Sequence, residues 1–87
     1  MCTYNTVRAP VDGSAKGPGS WIRVVDATVY FDHPVHAMAA HTLNIDLTDA
    51  SGDPSARLAV ELTAASARRL VAAIQDALDS VPAGLTD

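Results

Sequence analysis

Between residues 41 and 62 the chain places an apolar side chain on every second residue twice over, a pattern that constrains its fold more than any other. Leu43, Ile45 and Leu47 share one side of an extended segment, and Thr42, Asn44 and Asp46 share the other. Leu58, Val60 and Leu62 repeat the arrangement after Asp49-Ala50-Ser51-Gly52-Asp53-Pro54, a run with turn chemistry. A period of two marks a half-buried strand, so residues 41–47 and 57–62 are predicted to form an antiparallel hairpin. The period then changes to that of a helix. Thr63 is placed to cap it, Leu70, Val71, Ile74 and Leu78 recur at helical spacing between residues 64 and 80, and Pro82 and Gly84 follow to end it.

Upstream, residues 21–31 carry the densest β-branched and aromatic content and read as another strand. Its parity shifts: Ile22 and Val24 fall on one face, whereas Val25, Ala27, Val29 and Phe31 fall on the other, which predicts a bulge near Val24 or burial of both faces. Residues 2–11, with Tyr4, Thr6, Val7 and Val11, read as the first strand. Residues 12–20 contain three glycines and Pro18 and read as a loop. Residues 32–40 are a connection in which Pro34 interrupts any ladder. The expected fold is therefore α+β, a single ββββα domain over residues 1–87: a four-stranded antiparallel β-meander followed by one C-terminal amphipathic helix. That helix would lie across the face made by Leu43, Ile45, Leu47, Leu58, Val60 and Leu62. The opposite face, with Thr28, Tyr30, Thr42, Asn44, Asp46, Ala59 and Glu61, would meet water or a second copy.

A chain of 87 residues buries only about 60–65% of its unfolded surface, so its core is marginal alone. A homo-oligomer, most simply a dimer, is expected, with contact through the uncovered face or the edge of the first strand. A formal charge of −4 with only six lysines and arginines argues against nucleic-acid binding, which needs a basic surface to displace counterions. No apolar run approaches the roughly 18 residues of a membrane span. The opening Met1-Cys2-Thr3-Tyr4-Asn5 lacks the basic and apolar regions of a secretory signal, which predicts a cytoplasmic protein. One cysteine excludes an internal disulfide and any Cys-x-x-Cys framework.

The chemistry-bearing residues cluster. All three histidines fall within the nine residues from His33 to His41. The turn around Pro34 brings His33 and His36 near each other, and a hairpin returning His41 beside the end of the second strand would put His33 and His41 on the core side of the sheet rim. Three neutral imidazoles suit an open site for a divalent transition metal such as zinc, iron, nickel or copper. Asp32 and Cys2 are the reserve ligands, Asp32 also as the acceptor that fixes a ring tautomer. Removal of Met1 would further give Cys2 a free amine beside its thiol, a pair able to chelate an ion or attack a carbonyl. Against this stands a plainer account, in which one histidine packs at the rim, the others are solvated, and Cys2 is a small edge-strand residue. A metal-free acid–base role for His33 or His41 paired with an aspartate is a third. The loop around Lys16 lacks the Gly-x-x-x-x-Gly-Lys-Ser/Thr order of a phosphate cradle. Trp21 and Met38 read as packing residues, and Arg68 and Arg69 as the solvated face of the helix.

The opening Met1-Cys2-Thr3-Tyr4, the stretch Lys16-Gly17-Pro18-Gly19-Ser20-Trp21, and Phe31-Asp32-His33-Pro34-Val35-His36 continuing to His41-Thr42-Leu43-Asn44-Ile45-Asp46 resemble a family of short actinobacterial proteins of unknown function. The resemblance runs over most of the chain. It implies one compact domain and carries no activity with it. Two functions are thus in view: a small metal-binding protein, extending to a metal-dependent enzyme acting on a small-molecule ligand, or a non-catalytic homo-oligomeric interaction module with incidental histidines.

Overall fold

The computed structural model describes residues 4–86. In chain order its elements are β1 (Thr6–Lys16), β2 (Trp21–Asp32), β3 (Thr42–Thr48), β4 (Arg57–Leu62) and the helix α1 (Ala64–Asp79). The strands form one sheet in the order β1-β2-β3-β4, every pair antiparallel, which is the expected meander. Register fixes the two faces, because paired residues project to the same side. Val29 opposite Ile45, Phe31 opposite Leu43, and Ile45 opposite Val60 build the apolar face. Thr28 opposite Asp46, Tyr30 opposite Asn44, and Asn44 opposite Glu61 build the polar one.

The first hairpin differs from its sequence reading. Residues 13–16 are strand rather than loop: Gly13, Ser14, Ala15 and Lys16 pair with Val24, Arg23, Ile22 and Trp21. The β-propensity of 21–24 supplies a template, and pairing against it overrides the local cost of glycine. Only residues 17–20 remain as the turn, closed by a hydrogen bond from Gly17 N to Ser20 O at 2.9 Å. The predicted bulge lies on the partner strand. Pro10 pairs with Asp26 and Gly13 with Val24, so Val11 and Asp12 stand together opposite Val25. The kink sits where Pro10 cannot donate to a ladder, and it turns the far half of the hairpin. A Cβ placed on Gly17 would lie 3.6 Å from Leu58 Cδ1, so the hairpin end reaches the apolar side of β4.

Thr63 caps α1 as its position predicts, with an extended backbone and its hydroxyl accepting from Ser66 N at 3.2 Å. Ser80 closes the other end, its N–H donating to Asp76 O at 3.2 Å. The helix starts on the apolar side beside Leu62 but does not cover that face. Only Ser66 and Ala67 of the helix are even half-buried, while Val71 is 68% and Ile74 53% exposed. An open cleft of about 520 Å³ separates helix from sheet, lined by Val29, Phe31, Leu43, Ile45, Leu62 and the helix residues Leu70, Val71 and Ile74. Val24 is the single hydrophobic side chain among the described residues that is fully buried, at 4%.

Burial is greatest on the polar face instead, where Thr42 is 0% and Asn44 5% exposed. Thr42 Oγ1 donates to Asn44 Oδ1 at 2.6 Å. The expectation that this face would meet water is corrected by the 33–41 connection, which folds back over its β4 end.

Candidate functional site

Two clusters flank the 33–41 connection, one on each side of the sheet. On the apolar side, the parity that buries Leu43 also places His41 beside Phe31: their rings stack with centroids 5.8 Å apart and planes within 10°. Tyr4 meets both edge-on, at 5.7 Å from Phe31 and 6.3 Å from His41. His33 lies over His41 with ring centroids 4.5 Å apart. His33 Nδ1 donates to Ala40 O at 3.0 Å, which directs the Nε2 lone pair outward, the tautomer arrangement that a metal-ligating imidazole uses. Asp32 Oδ1 accepts from His33 N at 2.7 Å and so serves the backbone of the turn.

His36 stands on the other side. It lines a shallow recess with Val35, Ala37, Arg57, Ala59 and Glu61, and the three β4 members of that set belong to the polar face. The structure therefore brings His33 and His41 together and places His36 apart from them. Cys2 lies outside the described residues. Among the described residues, no three histidine, cysteine, aspartate or glutamate side chains form a group able to hold one ion.

The second cluster centres on Glu61, which sequence reading assigned only to a face. Its carboxylate accepts three successive backbone N–H groups, from Val35 through Oε2 and from His36 and Ala37 through Oε1, the latter two at 2.9 Å. Those donors hold the Glu61 carboxyl below its ordinary value, with a smaller contribution from the His36 ring. Successive N–H groups converging on one point form an anion-binding concavity, and here the chain fills it with its own carboxylate. Farther along the polar face, Tyr30 Oη donates to Asp46 Oδ2 at 3.1 Å, and Arg57 Nη1 approaches the same oxygen at 3.7 Å. Burial first, and then the hydrogen bond to the Asp46 carboxylate, raise the Tyr30 phenol above its ordinary value. No signal of period or spacing announces these contacts, since each joins a strand side chain to a group eleven or more residues away.

The remaining feature is the open cleft between α1 and the sheet, apolar except for Arg68 at its rim. No helix among the described residues is long and apolar enough to cross a membrane. Neither a curated protein nor a solved structure matches the chain. A family model does match, over residues 1–87, in agreement with the resemblance carried by the histidine-bearing segment. The chain belongs to DUF6295, a family of unknown function.

Proposed function

We propose that the chain is a small, non-catalytic homo-oligomeric interaction module, cytoplasmic, whose partner is another copy of itself rather than nucleic acid or a membrane. One observation carries this reading: the apolar side of the sheet and the apolar stripe of α1 face each other across an open cleft, with Val71 and Ile74 more than half exposed. Soluble monomers rarely leave so continuous an apolar surface to water. The acidic balance, −4 at neutral pH, favours solubility of the assembled form and disfavours polyanions. Light scattering at high micromolar concentration tests the proposal. The expected mass is at least twice the 9.0 kDa of one chain, and a monomer under those conditions sinks it.

A second reading is favoured by the histidine pair. His33 and His41, with rings 4.5 Å apart and Nδ1 of His33 engaged by Ala40 O, offer two nitrogen donors for a divalent transition metal, with Cys2 the next candidate donor. Protein purified without an affinity tag would then carry stoichiometric metal by elemental analysis, and the His41→Ala variant would not. Equal metal content in the two proteins rejects the site.

A further inference from the structure

We infer that a second copy of this chain closes the helix–sheet cleft with its own α1, the two helices lying antiparallel so that Arg68 of each copy meets Asp79 of the other. The inference rests on the homo-oligomeric reading above and names the surface and geometry through which it operates.

The chain exposes more surface than a compact monomer of its size. A folded monomer of 9.0 kDa exposes about 4,900 Å², whereas this chain exposes 6604 Å². The excess, about 1,700 Å² per chain or about 3,400 Å² for two, includes exposed β1 and the 33–41 connection as well as α1, and so is an upper limit on what an α1 interface buries, beside the roughly 2,000–5,000 Å² of obligate homodimer interfaces. The radius of gyration agrees, at 14.5 Å against about 12 Å for a compact domain of this length.

Two other surfaces are less suited to such a contact. The polar face carries the 35–37 segment fastened to Glu61. The free edge of β1 holds Pro10 and the bulge at Val11 and Asp12, both of which discourage addition of another strand. Exposed apolar side chains also lie at Val7, Val11, Trp21, Val35 and Met38, but Leu70, Val71, Ile74 and Leu78 form one stripe at helical spacing on α1.

Charge sets the direction. The first turn of α1 has no acidic residue and the last turn no basic one, and Asp76 and Asp79 in that last turn oppose the helix dipole. Arg68 and Asp79 lie about three turns apart, on the same flank of the apolar stripe. Among the described residues neither has an ion-pair partner within the chain. When two such helices pack antiparallel through their apolar stripes, residues on the same flank meet each other, and those at opposite ends meet across the twofold axis. Arg68 then faces the second copy's Asp79 twice per dimer, with Val71 and Ile74 near the axis.

Sedimentation equilibrium on the full chain tests this with Arg68→Asp, Asp79→Arg, their combination, Ile74→Asp, and Thr6→Lys on the β1 edge. Each single charge reversal turns two attractions into two repulsions and should weaken dimerisation about tenfold; the double reversal should restore it. Both reversals suit the helix dipole, so helix content by circular dichroism should hold and loss of the dimer cannot be assigned to unfolding. Ile74→Asp should abolish the dimer and Thr6→Lys leave it intact; if Ile74→Asp does not fold, the charge reversals still decide. A dimer indifferent to the reversals, one that the double reversal fails to restore, or one dissociated by Thr6→Lys overturns this interface and leaves the homo-oligomeric reading standing. A monomeric wild type overturns both.

Discussion

Replacing Thr42 by valine removes one oxygen from the most buried position in the sheet and keeps the shape of the side chain. Thr42 is 0% exposed, and its hydroxyl donates to Asn44 Oδ1 at 2.6 Å, with Asn44 itself only 5% exposed. Valine leaves that acceptor without this donor in a place water does not reach. The cost of such an orphaned group is about 1–3 kcal/mol. A domain of this length has about 4–13 kcal/mol in total, so the change is a substantial fraction. Thr42→Ser makes the complementary change, keeping the hydroxyl and losing a methyl group worth about 1 kcal/mol. In thermal melts at one fixed protein concentration, Thr42→Val should lower Tm by about 8–16 °C for a mid-range cost of about 2 kcal/mol. Thr42→Ser should lower it by about half as much. A Thr42→Val protein as stable as wild type, or a serine variant less stable than the valine one, would refute the claim that the hydroxyl rather than the methyl carries the stability of this site.

Three further outcomes are expected. The Glu61 carboxyl is held below its usual 4.5 by the N–H groups of Val35, His36 and Ala37; stability from this contact is fully present above the unfolded pKa and is lost as pH falls through the lower folded value. Protection factors at the His36 and Ala37 amides, taken against the intrinsic exchange rate at each pH, should therefore fall in acid, and Glu61→Ala should show the low protection at neutral pH; unchanged protection in that variant rejects the contact. Ultraviolet titration should find Tyr30 ionising above 10.0, and Asp46→Asn should bring it back toward that value; a titration unmoved by the substitution would show that Asp46 plays no part. Thr63→Ala should cost about 1 kcal/mol in urea unfolding through loss of the cap on Ser66 N, and a change below about 0.3 kcal/mol, beneath the usual range for such caps, would place the helix start elsewhere.

The elements with a clean period were legible in the sequence almost to the residue. The alternation of 57–62 corresponds to Arg57–Leu62, that of 41–47 to Thr42–Thr48, and the helical spacing of 64–80 to Ala64–Asp79. The far half of β1 was not, because the glycine at 13 signals a break only when no partner is present, and Trp21–Val24 is that partner. The side assignments of His33 and His41 followed from parity with Leu43. The position of His36 did not, since it depends on where a nine-residue connection is fastened, and the fastening is a glutamate 24 to 26 residues farther along. That same contact explains the inverted burial of the two faces. Sequence hydropathy identified the face that ought to be covered, but one 16-residue helix that touches the sheet only near its start cannot cover it.

The order β1-β2-β3-β4 has a kinetic consequence. Every strand pairs with its neighbour in the chain, and the connections at 17–20, 33–41 and 49–56 are short, so each hairpin closes a small loop before the next strand is needed. Low sequence separation between contacting residues is what speeds folding among small domains, and that separation is smaller in a meander than in sheets whose strands cross over. Each added strand docks on an edge already formed, and α1, last in the chain, arrives when its seat beside Leu62 exists. The sheet should thus assemble in a unimolecular step within milliseconds. In the proposed dimer, burial of the helix stripe follows as a separate, slower phase whose rate rises with protein concentration, visible in stopped-flow refolding as one phase that dilution leaves alone and one that it slows.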